Sequence, residues 1–277
     1  MKTVTLPSGE TVPALGQGAW NIGDSPATRA AEIATLRHGI DLGLTLIDTA
    51  EMYGDGRSEQ LIAEAIVGRR DEVFIVSKVL PGNASRYGTL AACERSLKNL
   101  KTDRIDLYLL HWRGGVPFAE TLDALMALQR AGKIRQYGVS NLDLTEMKEW
   151  CATPGGAATA TNQLLYNLSR RGIEWDLLPW LHERHVPVMA YSPLEQARLF
   201  KNTKFVALAK ASGASPAQLA LAWLLAQDDV IVIPKCSSPA RVQENAAARN
   251  IQLTAVQCAE LDRIFPAPTT PRALEML

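Results

Sequence analysis

Apolar runs alternate with amphipathic segments along most of this chain. The run 230–233 is continuously apolar and β-branched, whereas Leu90, Cys93, Leu97 and Leu100 recur at the spacing of one helix face. Strands that are covered on both faces lose the alternation of polar and apolar residues. The pattern therefore predicts a parallel sheet whose strands are connected by helices.

Eight strand and helix units follow one another, which predicts an α/β protein with a (β/α)8 TIM barrel formed by one domain over residues 1–277. An N-terminal β-hairpin that turns at Ser8-Gly9 precedes the units, and an extra C-terminal helix over 254–265 follows them. The predicted strands are 14–18, 44–47, 73–78, 105–111, 134–141, 159–163, 186–192 and 230–235. The predicted helices between and after these strands are 26–42, 59–67, 90–100, 118–131, a helix capped by Asp143 that runs to 151, 173–185, a short helix 204–212, a helix capped by Ser215, and 239–250.

An open doubly wound sheet is the alternative fold. Such a sheet normally carries a glycine-rich phosphate loop between its first strand and first helix. Gly16-x-Gly18 and Gly54-x-Gly56 both lack the third glycine of that loop. The barrel is therefore the preferred interpretation.

Composition excludes several classes of function. The 29 basic and 29 acidic residues cancel, and no basic stripe stands out, so neither nucleic acid nor an anionic membrane is an expected partner. The longest apolar run, 219–226, is too short to cross a bilayer, and the first residues do not resemble a signal peptide. The four cysteines form no Cys-x-x-Cys pair, so free thiols in a reducing cytoplasm are expected. His182 and His185 lack a completing carboxylate pattern, and no metal site is predicted.

Polar residues of one coherent chemistry follow successive predicted strands. Asp48, Lys78 and His111 stand at strand ends, and Tyr53 follows Asp48 in a glycine-containing loop. In a barrel these ends converge on the face that carries the active site. A nearby ammonium group favours a phenolate, so Lys78 is expected to lower the tyrosine pKa from about 10. The set predicts a phenol that protonates a carbonyl oxygen, and the hydride must come from a nicotinamide, because no side chain supplies one.

Several short motifs follow one another along the chain: 46–54 (LIDTAEMYG), Ser77-Lys78, Leu109-Leu110-His111-Trp112, Gly132-Lys133-Ile134-Arg135, Gly138-Val139-Ser140-Asn141, Asn162-Gln163, Ala190-Tyr191-Ser192-Pro193-Leu194, Ile233-Pro234-Lys235 and Glu244-Asn245. With these motifs in this order, the sequence resembles the aldo-keto reductase family along essentially its whole length, and within the family it is most similar to bacterial members of the methylglyoxal-reductase type. A barrel glycosidase, the other enzymatic alternative, would need paired carboxylates on the rim, where this chain has His111 and Tyr191.

The resemblance implies that Tyr53 is the proton donor and that Asp48, Lys78 and His111 complete a catalytic tetrad. It implies NADPH as the cofactor, with the nicotinamide stacked on Tyr191. The substrate pocket would be walled by Trp20, Tyr53, His111 and Trp112. The implied cofactor-binding residues are Gly18, Trp20, Ser140, Asn141, Gln163, Tyr191, Ser192, Pro193, Leu194, Ile233, Lys235, Ser238, Arg241, Glu244 and Asn245.

The expected activity is NADPH-dependent reduction of aldehydes, including 2-oxoaldehydes such as methylglyoxal, by a cytoplasmic monomer that acts on small-molecule carbonyl compounds. A nucleotide-binding regulatory subunit on the same fold, with little turnover, is the alternative, and the complete tetrad argues against it. Two departures from the family pattern matter. Cys236 stands where a serine is common, which weakens one contact to the 2′-phosphate. The C-terminal tail is short, which suggests a surface segment that leaves the substrate pocket open.

Overall fold

The first two strands form an antiparallel hairpin, β1 (Thr3–Thr5) and β2 (Thr11–Pro13), in the computed structural model, which describes residues 2–277. Its turn contains Gly9 at φ +85°, a left-handed conformation that glycine adopts without strain. The Lys2 ammonium group donates to the Leu225 carbonyl (2.8 Å) at the end of a helix. Glu10 contacts Arg135 (2.9 Å) near the start of a barrel strand. The hairpin therefore covers the end of the barrel where the strands begin.

Eight parallel strands follow, and each pairs with its neighbours in chain order. The third and fourth barrel strands have six residues each, and all of these residues are buried, as expected for strands covered on both faces. The strands are β3 (Gln17–Gly18), β4 (Leu46–Asp48), β5 (Phe74–Val79), β6 (Ile105–Leu110), β7 (Ile134–Ser140), β8 (Asn162–Leu165), β9 (Val188–Tyr191) and β10 (Val230–Val232).

The first and last strands close the barrel. Parallel bridges join Leu15 to Val232 and Gly18 to Lys235, and the Gly16 amide donates to the Val232 carbonyl (2.8 Å). A Cβ atom on Gly18 would lie 2.8 Å from the Ile233 carbonyl oxygen, so this seam requires glycine. The predicted (β/α)8 barrel, its N-terminal hairpin and its extra C-terminal helix are confirmed.

Helices surround the barrel, and short 3₁₀ turns occur in several of the connections between elements. Among the described residues, no helix is long and apolar enough to span a membrane. The helices are α1 (Arg29–Asp41), α2 (Arg57–Ala65), α3 (Arg86–Leu100), α4 (Phe118–Arg130), α5 (Leu144–Ala152), α6 (Leu177–His182), α7 (Thr203–Ala211), α8 (Pro216–Ala226), α9 (Pro239–Ala247) and α10 (Ala255–Ile264).

Several predicted boundaries were wrong. Helix α2 begins at Arg57 and not at Glu59, with Gly56 before it at φ +82°, and the Ser58 hydroxyl donates to the Ala19 carbonyl (3.0 Å). Helix α3 begins at Arg86, before the predicted start at Leu90. The helix predicted over 173–185 is a 3₁₀ turn followed by the short helix α6. Strand β8 begins at Asn162, three residues later than predicted, because the pairing with β7 starts there.

Candidate active site

The predicted catalytic residues converge at the carboxyl ends of three neighbouring strands. Asp48 ends β4, Lys78 lies near the end of β5, and His111 follows β6 directly. Strand pairing sets their relative positions, because Asp48 is opposite Val76 and Lys78 is opposite Leu109. Tyr53 reaches the same point from the loop after β4.

The Lys78 ammonium group is fully buried at the centre of this cluster. Its Nζ donates to Asp48 Oδ2 (2.9 Å), to the Thr49 carbonyl (2.7 Å) and to the Tyr53 hydroxyl (3.3 Å). Burial alone would lower the pKa of Lys78, but Asp48 and Tyr53 outweigh it and raise that pKa above its ordinary value. Lys78 is therefore a cation whose donors are directed at the carboxylate and the phenol.

Asp48 is 3% exposed and has a second partner besides Lys78. Gln163 Nε2 donates to its Oδ1 at 2.7 Å. Burial raises the pKa of the Asp48 carboxyl, and Lys78 and Gln163 act in the opposite direction. Asp48 thus fixes Lys78 in place and connects it to strand β8.

The loop that carries Tyr53 is tethered on both sides. Ser58 donates to the Ala19 carbonyl (3.0 Å), and the Glu51 carboxylate accepts from the Leu80 amide (2.7 Å) after β5. Ala19 follows β3 and Leu80 follows β5, so these bonds join the loop to the two barrel strands that flank β4. The loop therefore positions the Tyr53 phenol relative to Lys78.

Lys78 acts to lower the pKa of Tyr53, as expected, but the net pKa of the phenol is raised. Burial raises the pKa of the Tyr53 hydroxyl, and the opposing effect of Lys78, whose Nζ lies 4.9 Å from the ring centroid, does not fully offset it. Desolvation disfavours the phenolate more than the ammonium group favours it. Tyr53 is consequently a protonated phenol at neutral pH with a cation beside its oxygen.

His111 is a neutral imidazole. It is 8% exposed, and burial, followed by the charge of Lys78, lowers its pKa to about 2. Its Nδ1 is buried and has no hydrogen-bond partner in the part of the chain that the structure describes. A buried N–H without an acceptor is rare, so we assign the proton to Nε2. His111 packs edge-on to Tyr53 with ring centroids 5.9 Å apart and lines the adjoining cavity, where it offers one N–H donor.

A cavity of about 880 Å³ opens beside this cluster and extends across the barrel mouth to Arg241 and Asn245. Its volume lies at the upper end of the range found for small-molecule and cofactor sites. Every residue predicted to bind the cofactor lines it except Ser238, and so do Trp20, Tyr53, His111 and Trp112. The structure therefore brings nearly the whole predicted set to one cavity.

Polar side chains near the tetrad are already connected to one another. Asn141 Nδ2 donates to the Ser140 hydroxyl (3.0 Å) and to the His111 carbonyl (3.2 Å), and its Oδ1 accepts from the Tyr191 hydroxyl (3.0 Å). Asn141 has φ +56°, which is uncommon outside glycine but tolerated by asparagine. The described hydrogen bonds of Gln163 use its Nε2 and leave its Oε1 as a free acceptor.

The far end of the cavity is basic and exposed. Lys235 and Arg241 are both solvent-exposed, and neither forms a salt bridge among the described residues. Cys236 accepts from Asn245 Nδ2 (2.8 Å), and burial raises the pKa of its thiol to about 11, so it carries no charge there. Ser238 precedes α9 and does not line the cavity, so its contact with the cofactor stays a prediction.

Other wall residues were missed from the sequence. Met276 and Leu277 are exposed, so the tail is on the surface as predicted, and both residues also line the cavity. Gln196 and Ala197 also line the cavity in left-handed conformations that no glycine in the sequence signals. Among the described residues, no group of three or more His, Cys, Asp or Glu side chains is arranged to hold a metal ion.

Comparison with known proteins identifies the family. Residues 14–265 match the family model described as "Aldo/keto reductase family". The chain belongs to the aldo-keto reductase family. Methylglyoxal reductase YeaE of Escherichia coli K12 is 48% identical, over 100% of this chain and 99% of the relative. A 9,11-endoperoxide prostaglandin H2 reductase of Trypanosoma cruzi is 34% identical, over 94% of this chain and 90% of the relative.

Solved structures agree with this family assignment. An aldo/keto reductase from Klebsiella pneumoniae in complex with NADP and acetate superposes with a TM-score of 0.97. It is 48% identical, and the match covers 100% of this chain and 99% of that one. The thermostable aldo-keto reductase Tm1743 in complex with the inhibitor epalrestat has a TM-score of 0.89 at 38% identity, over 95% of this chain and 100% of that one.

Proposed function

We propose that this aldo-keto reductase uses NADPH to reduce aldehydes, including 2-oxoaldehydes such as methylglyoxal, to alcohols. The observation that carries the proposal is the Asp48–Lys78–Tyr53 chain of hydrogen bonds at the floor of an 880 Å³ cavity, with neutral His111 beside it. The relative named methylglyoxal reductase, which is 48% identical over its whole length, supports the substrate class.

The residues along the cavity fit a nicotinamide dinucleotide. Asn141 and the free Oε1 of Gln163 can hold a carboxamide, and Tyr191 offers a ring for stacking. Lys235 and Arg241 at the other end can hold a 2′-phosphate, for which Arg provides paired donors. When bound, the reduced nicotinamide supplies a hydride to the carbonyl carbon.

Tyr53 supplies the proton in this proposal. As negative charge develops on the substrate oxygen, the phenolic proton moves from Tyr53 to that oxygen. The raised pKa keeps the phenol protonated at neutral pH, and Lys78 at 3.3 Å stabilises the phenolate that forms. His111 donates a hydrogen bond from its Nε2–H to the same oxygen. Neutral His111 is a far weaker acid than the phenol, because loss of its proton would leave an imidazolate anion.

The mouth of the cavity favours apolar substituents on the aldehyde. Trp20 is 46% exposed and Met52 is 43% exposed at the rim, and Met276 and Leu277 complete the wall. We further propose that the protein acts as a monomer in the cytoplasm. Its four free cysteines support the reducing compartment only.

Steady-state turnover of NADPH with methylglyoxal and a panel of other aldehydes and ketones tests the proposal. We expect saturable oxidation of NADPH with aldehydes. In parallel, binding of NADPH is measured from the change in NADPH fluorescence when the protein is added. Tight binding without turnover on any carbonyl compound would contradict the reductase assignment and favour the regulatory-subunit alternative.

A further inference from the structure

The loop after β9 has an unusual backbone. Ser192, Glu195, Gln196 and Ala197 all have positive φ values, between +46° and +66°, and none of them is glycine. Such a conformation is strained for a residue with a side chain and persists only where surrounding contacts hold it. We call residues 192–198 the cofactor loop, because several of them line the cavity proposed to hold NADPH.

The Glu195 carboxylate provides the contacts that hold this loop. It is 3% exposed, although it is charged. Its Oε1 accepts from Arg170 Nη2 (2.9 Å) and from Arg198 Nη2 (2.9 Å), and its Oε2 accepts from Asn167 Nδ2 (2.8 Å). Burial opposes ionisation, but these donors together lower the pKa of the carboxyl. The loop is therefore anchored through a buried carboxylate that is fully satisfied.

Arg170 has a second partner that Arg198 lacks. Its Nη1 donates to Glu275, which lies 105 residues further along the chain. Glu275 belongs to the C-terminal tail, residues 272–277, whose Met276 and Leu277 line the substrate side of the cavity. One guanidinium group thus spans two walls of the cavity, the cofactor loop and the C-terminal tail.

We propose that Arg170 is a positioning residue that couples the cofactor loop to the C-terminal tail, so that an ordered tail slows release of NADPH. The tail reaches the nicotinamide end as well, because the Leu277 amide lies 3.4 Å from the Tyr191 hydroxyl. Fixing Glu275 limits the movement of Arg170, and Arg170 in turn limits the movement of Glu195. The proposal rests on the proposed function only in naming NADPH as the ligand.

A double-mutant cycle on the NADPH dissociation rate tests the coupling. The rate is measured by stopped-flow displacement of NADPH from the complex, and no turnover is needed. Glu275→Gln should raise the rate about twofold to fivefold, the range expected for a partly exposed ion pair. Arg170→Gln should raise it about tenfold or more, because both walls are released. In the Arg170→Gln background, Glu275→Gln should have no further effect.

Arg198→Gln is the matched control. Arg198 donates to the same Oε1 of Glu195 but has no described contact with the tail. It should raise the dissociation rate by itself, and Glu275→Gln should keep its full effect in that background. This contrast separates coupling through Arg170 from a general loosening of the loop.

Equal effects of Glu275→Gln in the wild type and in the Arg170→Gln variant would overturn the proposal, and so would an unchanged rate in Glu275→Gln alone. An unchanged rate in Glu275→Gln refutes the coupling even if Arg170→Gln does not fold. A wild-type protein that fails to bind NADPH would refute the proposed function itself, whereas binding with unchanged rates in Glu275→Gln would refute only the coupling.

Discussion

Replacing Lys78 with methionine should affect stability and catalysis through separate causes. Lys78 is completely buried, and its Nζ lies within 2.9 Å of Asp48 and 3.3 Å of the Tyr53 hydroxyl. Methionine has a similar length but no charge. The substitution leaves Asp48 buried with Gln163 as its remaining side-chain donor.

The expected loss of stability follows from this burial. Removing one partner of a buried ion pair costs about 3–5 kcal/mol, because the other charge is left uncompensated. If that is the cause, Asp48→Asn should recover most of the loss in the Lys78→Met background, since no buried charge then remains. Turnover should stay at least about 10²-fold below wild type in both variants, because neither provides a cation for the phenolate.

Urea denaturation gives the free energy of unfolding for the wild type, the single variant and the double variant, and steady-state kinetics gives turnover for the same three proteins. Recovery of turnover together with stability in the double variant would show that Lys78 has no role in the chemistry. A Lys78→Met variant as stable as wild type would refute the argument about the unpaired carboxylate.

Two further predictions use His111 and Arg241. The pKa of His111 is about 2 in the folded protein and about 6.5 in the unfolded chain. Below pH 6.5 the unfolded chain therefore binds a proton that the folded protein does not bind, so the free energy of unfolding decreases as the pH falls. Denaturation of the cofactor-free protein should show an extra loss of about 2 kcal/mol between pH 6.5 and 5 that is absent in His111→Gln, and equal pH slopes would contradict the neutral assignment. Arg241→Ala should weaken binding of NADPH by about tenfold to a hundredfold and should change binding of NADH little. Both dissociation constants are measured at one ionic strength. Equal losses of affinity for the two cofactors would mean that Arg241 contacts the adenosine and does not recognise the 2′-phosphate.

The sequence predicts the convergence of the tetrad well, because a barrel brings its strand ends to one rim. Asp48, Lys78 and His111 could each be assigned to a strand end from apolar runs alone, and the loop after Asp48 brings Tyr53 to them. The sequence does not reveal the net pKa of Tyr53, since burial and the charge of Lys78 oppose each other and only the folded geometry decides between them.

Contacts between distant segments could not be predicted in the same way. Arg170 and Glu275 are 105 residues apart, and neither lies in a periodic pattern that indicates a partner. The left-handed backbone at Gln196 and Ala197 is imposed by the buried Glu195 and not by glycine. Ser58 is a residue type that commonly caps helices, and it directly precedes the helix predicted from Glu59. Its hydroxyl instead donates to the Ala19 carbonyl, which is distant in sequence.

Tyr53→Phe tests most directly the claim that the Tyr53 phenol protonates the substrate. The phenol oxygen lies 3.3 Å from Lys78 Nζ in the cavity wall, and phenylalanine removes it without changing the ring. We predict that aldehyde reduction falls by about 10²-fold or more, while the dissociation constant for NADPH changes little. A variant that binds NADPH normally and keeps most of its turnover would contradict the assignment of Tyr53 as the acid.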